Sequence, residues 1–179
     1  MVQSEQLLVT GAHGFIGRHF MLAEEAGNAR HLSVVTWDRD RDGSFLSHQA
    51  QRAKLASACP TAVMHLAWAP TGTADYHGSP EHSRWNLATQ QFARECAASN
   101  IWLVVVGSAV DTPLNNSVPT PYASAKQKLK TFVGTLQHQG ASMTWARLQY
   151  VVSVSDLRPR VLRCALESDT TKPFEPRNP

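Results

Sequence analysis

The run Val9-Thr10-Gly11-Ala12-His13-Gly14-Phe15-Ile16-Gly17-Arg18 constrains this chain more than any other stretch. It follows Leu7 to Val9, apolar without alternation, as in a strand covered on both faces. Gly11, Gly14 and Gly17 stand three apart and lead into a helical pattern. Gly11 permits a tight turn out of the strand, Gly14 lets backbone approach a pyrophosphate, and Gly17 lets the new helix pack close to the sheet. The helix N-terminus adds backbone N–H groups and a partial positive charge for the phosphates. A glycine triplet alone is a weak signal. A strand before it and a helix after it supply the context it needs.

The alternation continues down the chain. Phe15 to Asn28 reads as the first helix, with Phe15, Ile16, His19, Phe20 and Leu22 as its inner stripe and Gly27-Asn28 as its stop. His31 to Trp37 is a second strand that delivers Asp38 to its C-terminal end. Asp38 lies about twenty residues past the glycines, where a carboxylate can accept both hydroxyls of an adenosine ribose and repel a 2′-phosphate. That favours NAD, and Arg39 beside it leaves NADP open. The bland alternative is a solvated charged loop, Asp38 to Asp42.

Gly43 to Leu46 is at most an abbreviated third strand, and Gln49 to Ala58 a helix with Ala50, Ala53, Leu55 and Ala56 as its apolar face. Ala62 to Trp68 is a fourth strand, and Glu81 to Ser99 a long helix after a polar loop. Ile101 to Gly107 is the fifth and most hydrophobic strand, expected near the sheet centre. A Pro- and Asn-rich loop from Asp111 to Pro121 leads to a helix, Tyr122 to His138, and Met143 to Leu148 is a sixth strand. Strands alternating with helices imply an α/β fold, a doubly wound parallel sheet with helices on both faces. Ligands of such sheets bind beyond the C-terminal strand ends, where Gly11 to Gly17, Asp38 and the loops after Trp68 and Gly107 all fall.

Composition narrows the class. At 179 residues, 42% apolar and 17% charged, the chain suits a globular domain with a full core. No run reaches the roughly 18 apolar residues of a membrane span. Met1 to Gln6 lacks the basic-then-apolar pattern of a secretion signal. Cys59, Cys96 and Cys164 are odd in number and widely spaced, which points to thiols in a reducing cytoplasm. The net charge of +3 is scattered, so no nucleic-acid footprint is expected. None of the eight histidines pairs at i, i+4 around a carboxylate, so no metal site is expected.

A second constellation is Ser108, ending the fifth strand, with Tyr122 and Lys126 opening the next helix. Tyr122 and Lys126 stand at i, i+4 on one helical face. An ammonium beside a phenol lowers the phenol's pKa, making it an acid or base near neutrality, and a serine hydroxyl nearby can hold a carbonyl or hydroxyl oxygen.

With these residues in place, the chain resembles the extended short-chain dehydrogenase/reductase family, in its NAD-dependent epimerase/dehydratase group acting on nucleotide sugars. The resemblance rests on Thr10 to Gly17, Asp38, His65-Leu66-Ala67, Gly107-Ser108-Ala109 and Tyr122-Ala123-Ser124-Ala125-Lys126. Trp68, Ser79-Pro80-Glu81 and Trp85 look like a subgroup of sugar-nucleotide gene clusters. It implies a Rossmann-type fold in which Gly11, Gly14, Phe15, Ile16, Gly17, Asp38, Arg39, Leu66, Ala67, Trp68 and Lys126 bind the cofactor. Ser108 would orient the substrate, Tyr122 act as acid/base, and Lys126 bind the nicotinamide ribose and tune Tyr122. It also implies a homodimer in which residues 81–99 and 122–138 form a four-helix bundle with their counterparts.

The chain departs from that pattern in places. Ser44 stands where an aspartate usually contacts adenine, Thr112 falls near a common tyrosine, and Val152-Ser153-Val154 follow Arg147 in place of Tyr-Gly-Pro. Residues 1–152 are expected to be the NAD(P)-binding domain. Residues 153–179, with a helix from Arg158 to Leu166 and a strand at Lys172-Pro173-Phe174, would be the start of a substrate-binding region that is mostly missing. Apolar surface left bare by that would need a partner. A dehydratase needs a further acid/base pair near Ser108, where only Asp111 is offered, so epimerase or 4-ketoreductase chemistry ranks above it. His82, near the start of the long helix, could line a sugar pocket, but a surface position is the expected reading. The rival reading is a cofactor-binding scaffold on the same fold without turnover.

Overall fold

The computed structural model describes residues 5–28, 32–69, 75–111, 118–149 and 151. The chain divides into Met1–Gln149 and Tyr150–Pro179, and nearly all described residues belong to the first. Thr112, Cys164, Val152-Ser153-Val154, Arg158 to Leu166 and Lys172-Pro173-Phe174 lie outside the described residues.

Five strands run parallel in the order β2-β1-β3-β4-β5: β1 Glu5–Thr10, β2 Leu32–Thr36, β3 Ala62–His65, β4 Trp102–Ser108 and β5 Met143–Leu148. The register pairs Leu8 with Val35 and Val63, and Val63 with Leu103. The helices are α1 Phe15–Ala23, α2 Arg39–Asp42, α3 His48–Ala58, α4 Glu81–Ala98 and α5 Pro121–His138. They cover both faces, as a parallel sheet requires. On one face Leu8, Val63, Leu103 and Val105 pack with Leu55 of α3, Phe92 of α4 and Leu129 of α5. On the other, Leu7 and Val9 pack with Phe20 and Met21 of α1. Phe92, Leu103, Leu129 and Val133 are wholly inaccessible, each contributing about 1.5–3 kcal/mol of burial.

Local signals set the ends of these helices. Ser47 and Thr120 cap α3 and α5, their side chains accepting from the N–H of Ala50 and Ala123. After Ala23 the helix widens into a π turn and stops at Gly27, whose φ of 82° is the left-handed conformation expected of a stop.

Several sequence expectations need correction. Gly43 to Leu46 forms no strand; it turns between α2 and α3, fixed by the Trp37 indole donating to the Gly43 carbonyl at 3.0 Å. β3 ends at His65 rather than Trp68, because the Ala67 N–H turns to the Thr10 hydroxyl (3.3 Å). β4, by contrast, lies near the sheet centre as expected, beside the central strand β3 and inside β5. In α1, Leu22 is exposed and Met21 takes the inward place, a phase set by Gly17 against the sheet. In α3 the buried face is Gln51, Lys54, Leu55 and Ala58, while Ala53 and Ala56 are exposed. The Gln51 amide donates to the carbonyls of Phe45 and Ala88, and the Lys54 ammonium pairs with Asp42 at 2.9 Å.

Candidate active site

The site is built at the C-terminal ends of β1, β3 and β4. Gly11 leaves β1 at φ 74°, and a Cβ there would lie 2.6 Å from the Ala67 nitrogen. At Gly17 a Cβ would lie 2.2 Å from the Gly11 carbonyl oxygen, so α1 can approach the sheet only with glycine here. Gly14 differs. A Cβ there would meet only the Gly11 oxygen, at 3.2 Å, so its outer side is open. Gly14 is also the N-cap of α1 and has no side chain to fold back onto the first turn's N–H groups. An open glycine at an uncapped helix start fits a pyrophosphate.

Thr10 ties this turn to the neighbouring strand. Its hydroxyl is 2.7 Å from His65 Nδ1, and His65 Nε2 is 3.1 Å from the Thr89 hydroxyl on α4. Burial, with the Lys126 charge adding to it, lowers the His65 pKa to about 3, so this link is neutral. His65 is thus a core residue that sets the course of Leu66 and Ala67.

Asp38 caps α2, its Oδ1 accepting from the N–H of Asp40 (2.8 Å) and Arg41 (3.3 Å). Those bonds, Arg41's first, hold its carboxyl ionised below the ordinary range. Its Oδ2 lies 3.9 Å from His13 of the glycine turn. Arg39 is exposed. The charged run is therefore not simply solvated: it is a short helix anchored through Asp42, which also accepts from the Asp38 N–H at 2.8 Å. Ser44 stays local, its hydroxyl accepting from the Leu46 N–H at 3.3 Å.

Ser108 ends β4 beside the Tyr122 side chain from the first turn of α5, near enough to act on the phenol's ionisation. The Tyr122 backbone N–H donates to the His77 carbonyl at 3.1 Å, so the loop after β3 and the start of α5 hold one another. The phenol's environment corrects one expectation. Burial raises the Tyr122 pKa, the nearby Ser108 hydroxyl offsets only part of that, and Asp111 adds to it. Lys126 does not lower it here. Its Nζ donates to the Val106 carbonyl at 3.1 Å, sits 3.6 Å from the Trp68 ring centre and lies 6.0 Å from that of Tyr122. Lys126 is almost wholly buried, and burial brings its pKa down to about 7, with Asp111 opposing.

Asp111 is committed elsewhere. It accepts from the Trp145 indole at 2.7 Å and pairs with Arg147 at 2.7 Å and Lys130 at 3.4 Å. Gly107 makes room for that indole, since a Cβ there would lie 2.5 Å from it. Asp111 therefore braces β4, β5 and α5.

The largest correction is His82, expected at the surface and wholly buried instead. It accepts from the Trp68 indole at 3.0 Å and reaches the Tyr76 carbonyl at 2.6 Å, with its ring 5.1 Å from that of Tyr122. Tyr76 and His77 flank Tyr122, their rings 5.4 and 5.3 Å away. The sequence held one signal for His82: it opens a stripe with Asn86, Thr89, Ala93 and Cys96, all buried on the inner face of α4. Among the described residues no group of His, Cys, Asp or Glu could hold a metal, and no helix is long and apolar enough to cross a membrane.

The fold and site can be set beside known proteins. A dTDP-4-dehydrorhamnose reductase from Yersinia enterocolitica superposes with a TM-score of 0.68 at 18% identity, covering 92% of this chain and 61% of that one. The GDP-mannoheptose C4 reductase MlghC of Campylobacter jejuni, with NADP bound, gives 0.74 at 18% identity, covering 93% and 57%. The UDP-glucose 4-epimerase of Thermus thermophilus, complexed with NAD, gives 0.61 at 21%, covering 81% and 54%. The chain thus spans little more than half the length of these structures. A comparison with curated protein sequences finds no match. A family model matches residues 7–172, which include the glycine turn, Ser108, Tyr122 and Lys126, and by that match the chain belongs to the NAD-dependent epimerase/dehydratase family.

Proposed function

We propose that the chain is the cofactor-binding part of an NAD(P)-dependent oxidoreductase or epimerase of nucleotide-linked sugars, with Ser108, Tyr122 and Lys126 as its reacting set. The observation that carries this is the meeting of the Ser108 and Tyr122 side chains where β4 reaches α5, with the buried ammonium of Lys126 6.0 Å from the Tyr122 ring centre. No packing need puts these three side chains together.

A nicotinamide dinucleotide, when bound, supplies the redox partner for a sugar carbon. The chain's own groups do the rest. The open Gly14 and the start of α1 receive the pyrophosphate, with Phe15, Ile16 and Gly17 in the first turn. Asp38, held ionised, accepts from the adenosine ribose and favours NAD, while the exposed Arg39 is the group a 2′-phosphate would seek. Tyr122, with its raised pKa, is a neutral phenol at pH 7. It is therefore set to give a proton to a sugar oxygen as a carbonyl is reduced, and to take one back in the reverse direction. Ser108 holds that same oxygen. Lys126 acts on the phenol by its charge, which requires it to leave the Val106 carbonyl. Asp111, bound by Arg147 and Trp145, is not free to serve as a dehydratase acid, which favours epimerase or ketoreductase chemistry.

Residues 153–179 are read as the start of the substrate-binding region, and the cell compartment as the cytoplasm. The homodimer is read onto α4 and α5. Leu87 is 65% exposed on α4 and borders a groove of about 310 Å³ with Asn86, Pro121, Ser124 and Lys128. That is a natural seat for a second pair of helices.

Tyr122→Phe tests the reading. With a panel of nucleotide-linked 4-keto sugars, turnover should fall by about 100-fold or more while NAD and NADP affinity is kept. Turnover that survives the change would refute the assignment. Cofactor binding without turnover in either protein would favour the scaffold.

A further inference from the structure

His82 is inaccessible to solvent, lies outside the reacting set, and yet has both ring nitrogens engaged. An indole N–H can only donate, so the 3.0 Å contact from Trp68 makes His82 Nδ1 an acceptor. The proton is then on Nε2, which donates to the Tyr76 carbonyl at 2.6 Å. The Trp68 and His82 ring planes lie 16° apart. The indole so held presents its face to the Lys126 ammonium at 3.6 Å. Apart from that face, the Val106 carbonyl is the ammonium's short contact among the described residues.

We propose that His82 is a positioning residue that fixes the Trp68 indole as the rest for the Lys126 ammonium and so sets its place beside Tyr122. This rests on the reading of Ser108, Tyr122 and Lys126 as the reacting set. The physical reason is the cost of an orphaned donor. Without His82 the half-buried indole N–H has no acceptor, so the ring turns to find one and its face leaves Lys126. The ammonium then takes up water. Three other titratable groups face it: Asp111 after β4, His65 on β3 and Tyr122 on its own helix. Of these only Asp111 is charged at neutral pH, and it favours the ammonium whichever way Trp68 lies, whereas the ammonium's depth of burial depends on the indole. The lowering of the Lys126 pKa, whose main cause is burial, is thus the quantity to follow.

The experiment follows the Lys126 side chain directly, by NMR titration of the 179-residue chain labelled at lysine Cε, with neither cofactor nor substrate. His82→Phe and Trp68→Leu should each raise the Lys126 midpoint by about one pH unit or more. The double variant should raise it no further than either alone. His82→Gln, which can still accept from the indole and donate to Tyr76, should restore most of the wild-type midpoint. A folded His82→Phe chain with the wild-type midpoint overturns the proposal, as does a His82→Gln midpoint displaced as far as that of His82→Phe. Should His82→Phe fail to fold, Trp68→Leu still decides, because an unmoved Lys126 there shows the indole is not its rest. The titration is independent of turnover. A moved midpoint with turnover indifferent to Tyr122→Phe would sink the catalytic reading and leave the positioning role standing.

Discussion

Gly14→Ala separates the two tasks of the glycine turn. The residue has φ −71° and ψ 173°, which alanine adopts freely, and its new methyl would meet only the Gly11 oxygen, at 3.2 Å. The gain from a stiffer unfolded chain, about 0.4–1 kcal/mol, roughly offsets the poorer N-cap, about 0.5–1 kcal/mol. Stability should therefore change by less than about 1 kcal/mol, and Tm by less than about 4 °C. The methyl occupies the open side where a phosphate must approach. Losing one charge-assisted hydrogen bond costs about 1.5–3 kcal/mol, so Kd for the dinucleotide should rise about 10- to 150-fold. Gly11→Ala is the control. Its φ of 74° costs alanine about 1–2 kcal/mol, and the clash with the Leu66 and Ala67 backbone about 1–3 more. That sum should lower Tm by about 4–20 °C. Calorimetric titration with NAD and with NADP, beside thermal melts, measures both effects. Unchanged affinity in Gly14→Ala would show that the turn is not the phosphate cradle, and a melt as low as that of Gly11→Ala would show that its outer side is not open.

Two further predictions concern buried charge. Burial pushes the Asp111 carboxyl up, but the Trp145 and Arg147 hydrogen bonds and the Lys130 charge outweigh it and leave the pKa low. Its pairing therefore stabilises the fold above the unfolded pKa of about 3.9 and is lost as pH falls through the lower folded value. Asp111→Asn should cost about 2 kcal/mol at pH 7, less than a fully buried pair because Arg147 and Lys130 are partly solvated, and urea melts should show the deficit vanishing in acid. For His65 the sign is opposite in origin: its folded pKa of about 3 lies below the unfolded 6.5. The unfolded chain alone takes up that proton, so stability falls as pH drops below about 6.5, by up to about 1.4 kcal/mol per unit. His65→Gln should flatten that slope between about pH 6.5 and 4 in urea melts, and an unchanged slope would refute the buried neutral imidazole.

Much of the fold was legible because its signals are local. The glycine turn, the β-branched runs of β2 and β4, and caps such as Ser47 and Thr120 act over a few residues, and α3, α4 and α5 fall within a residue or two of their expected ends, whereas α2 was not expected. The placement of the candidate site residues at the strand ends was legible in the same way. A strand ending in Ser108 and a helix opening on Tyr122 put two hydroxyls together by topology alone. What the spacing could not tell is where Lys126 rests. Placement at i, i+4 puts ammonium and phenol on one face, but the ammonium then follows the strongest partners within its reach, here the Val106 carbonyl and the face of Trp68.

The misread polar residues share one cause. Gln51, Lys54 and His82 are polar, and local pattern places polar residues outside. Each is buried because a distant segment supplies its partner: the Ala88 carbonyl for Gln51, Asp42 for Lys54, and Trp68 for His82. A polar group enters a core when a partner there replaces the water it leaves, and such partners are contacts of the folded chain that no window of sequence contains. The same rule explains why these residues matter more than an apolar residue in the same place. Replacing Gln51 by an apolar side chain of like volume removes a donor from two carbonyls, and replacing Lys54 takes one cation from Asp42, which keeps Arg41 and the Asp38 N–H, while replacing His82 strands an indole N–H beside the cation of the proposed reacting set. Fold and site therefore meet at His82, where a bond needed for packing also decides how the site is charged.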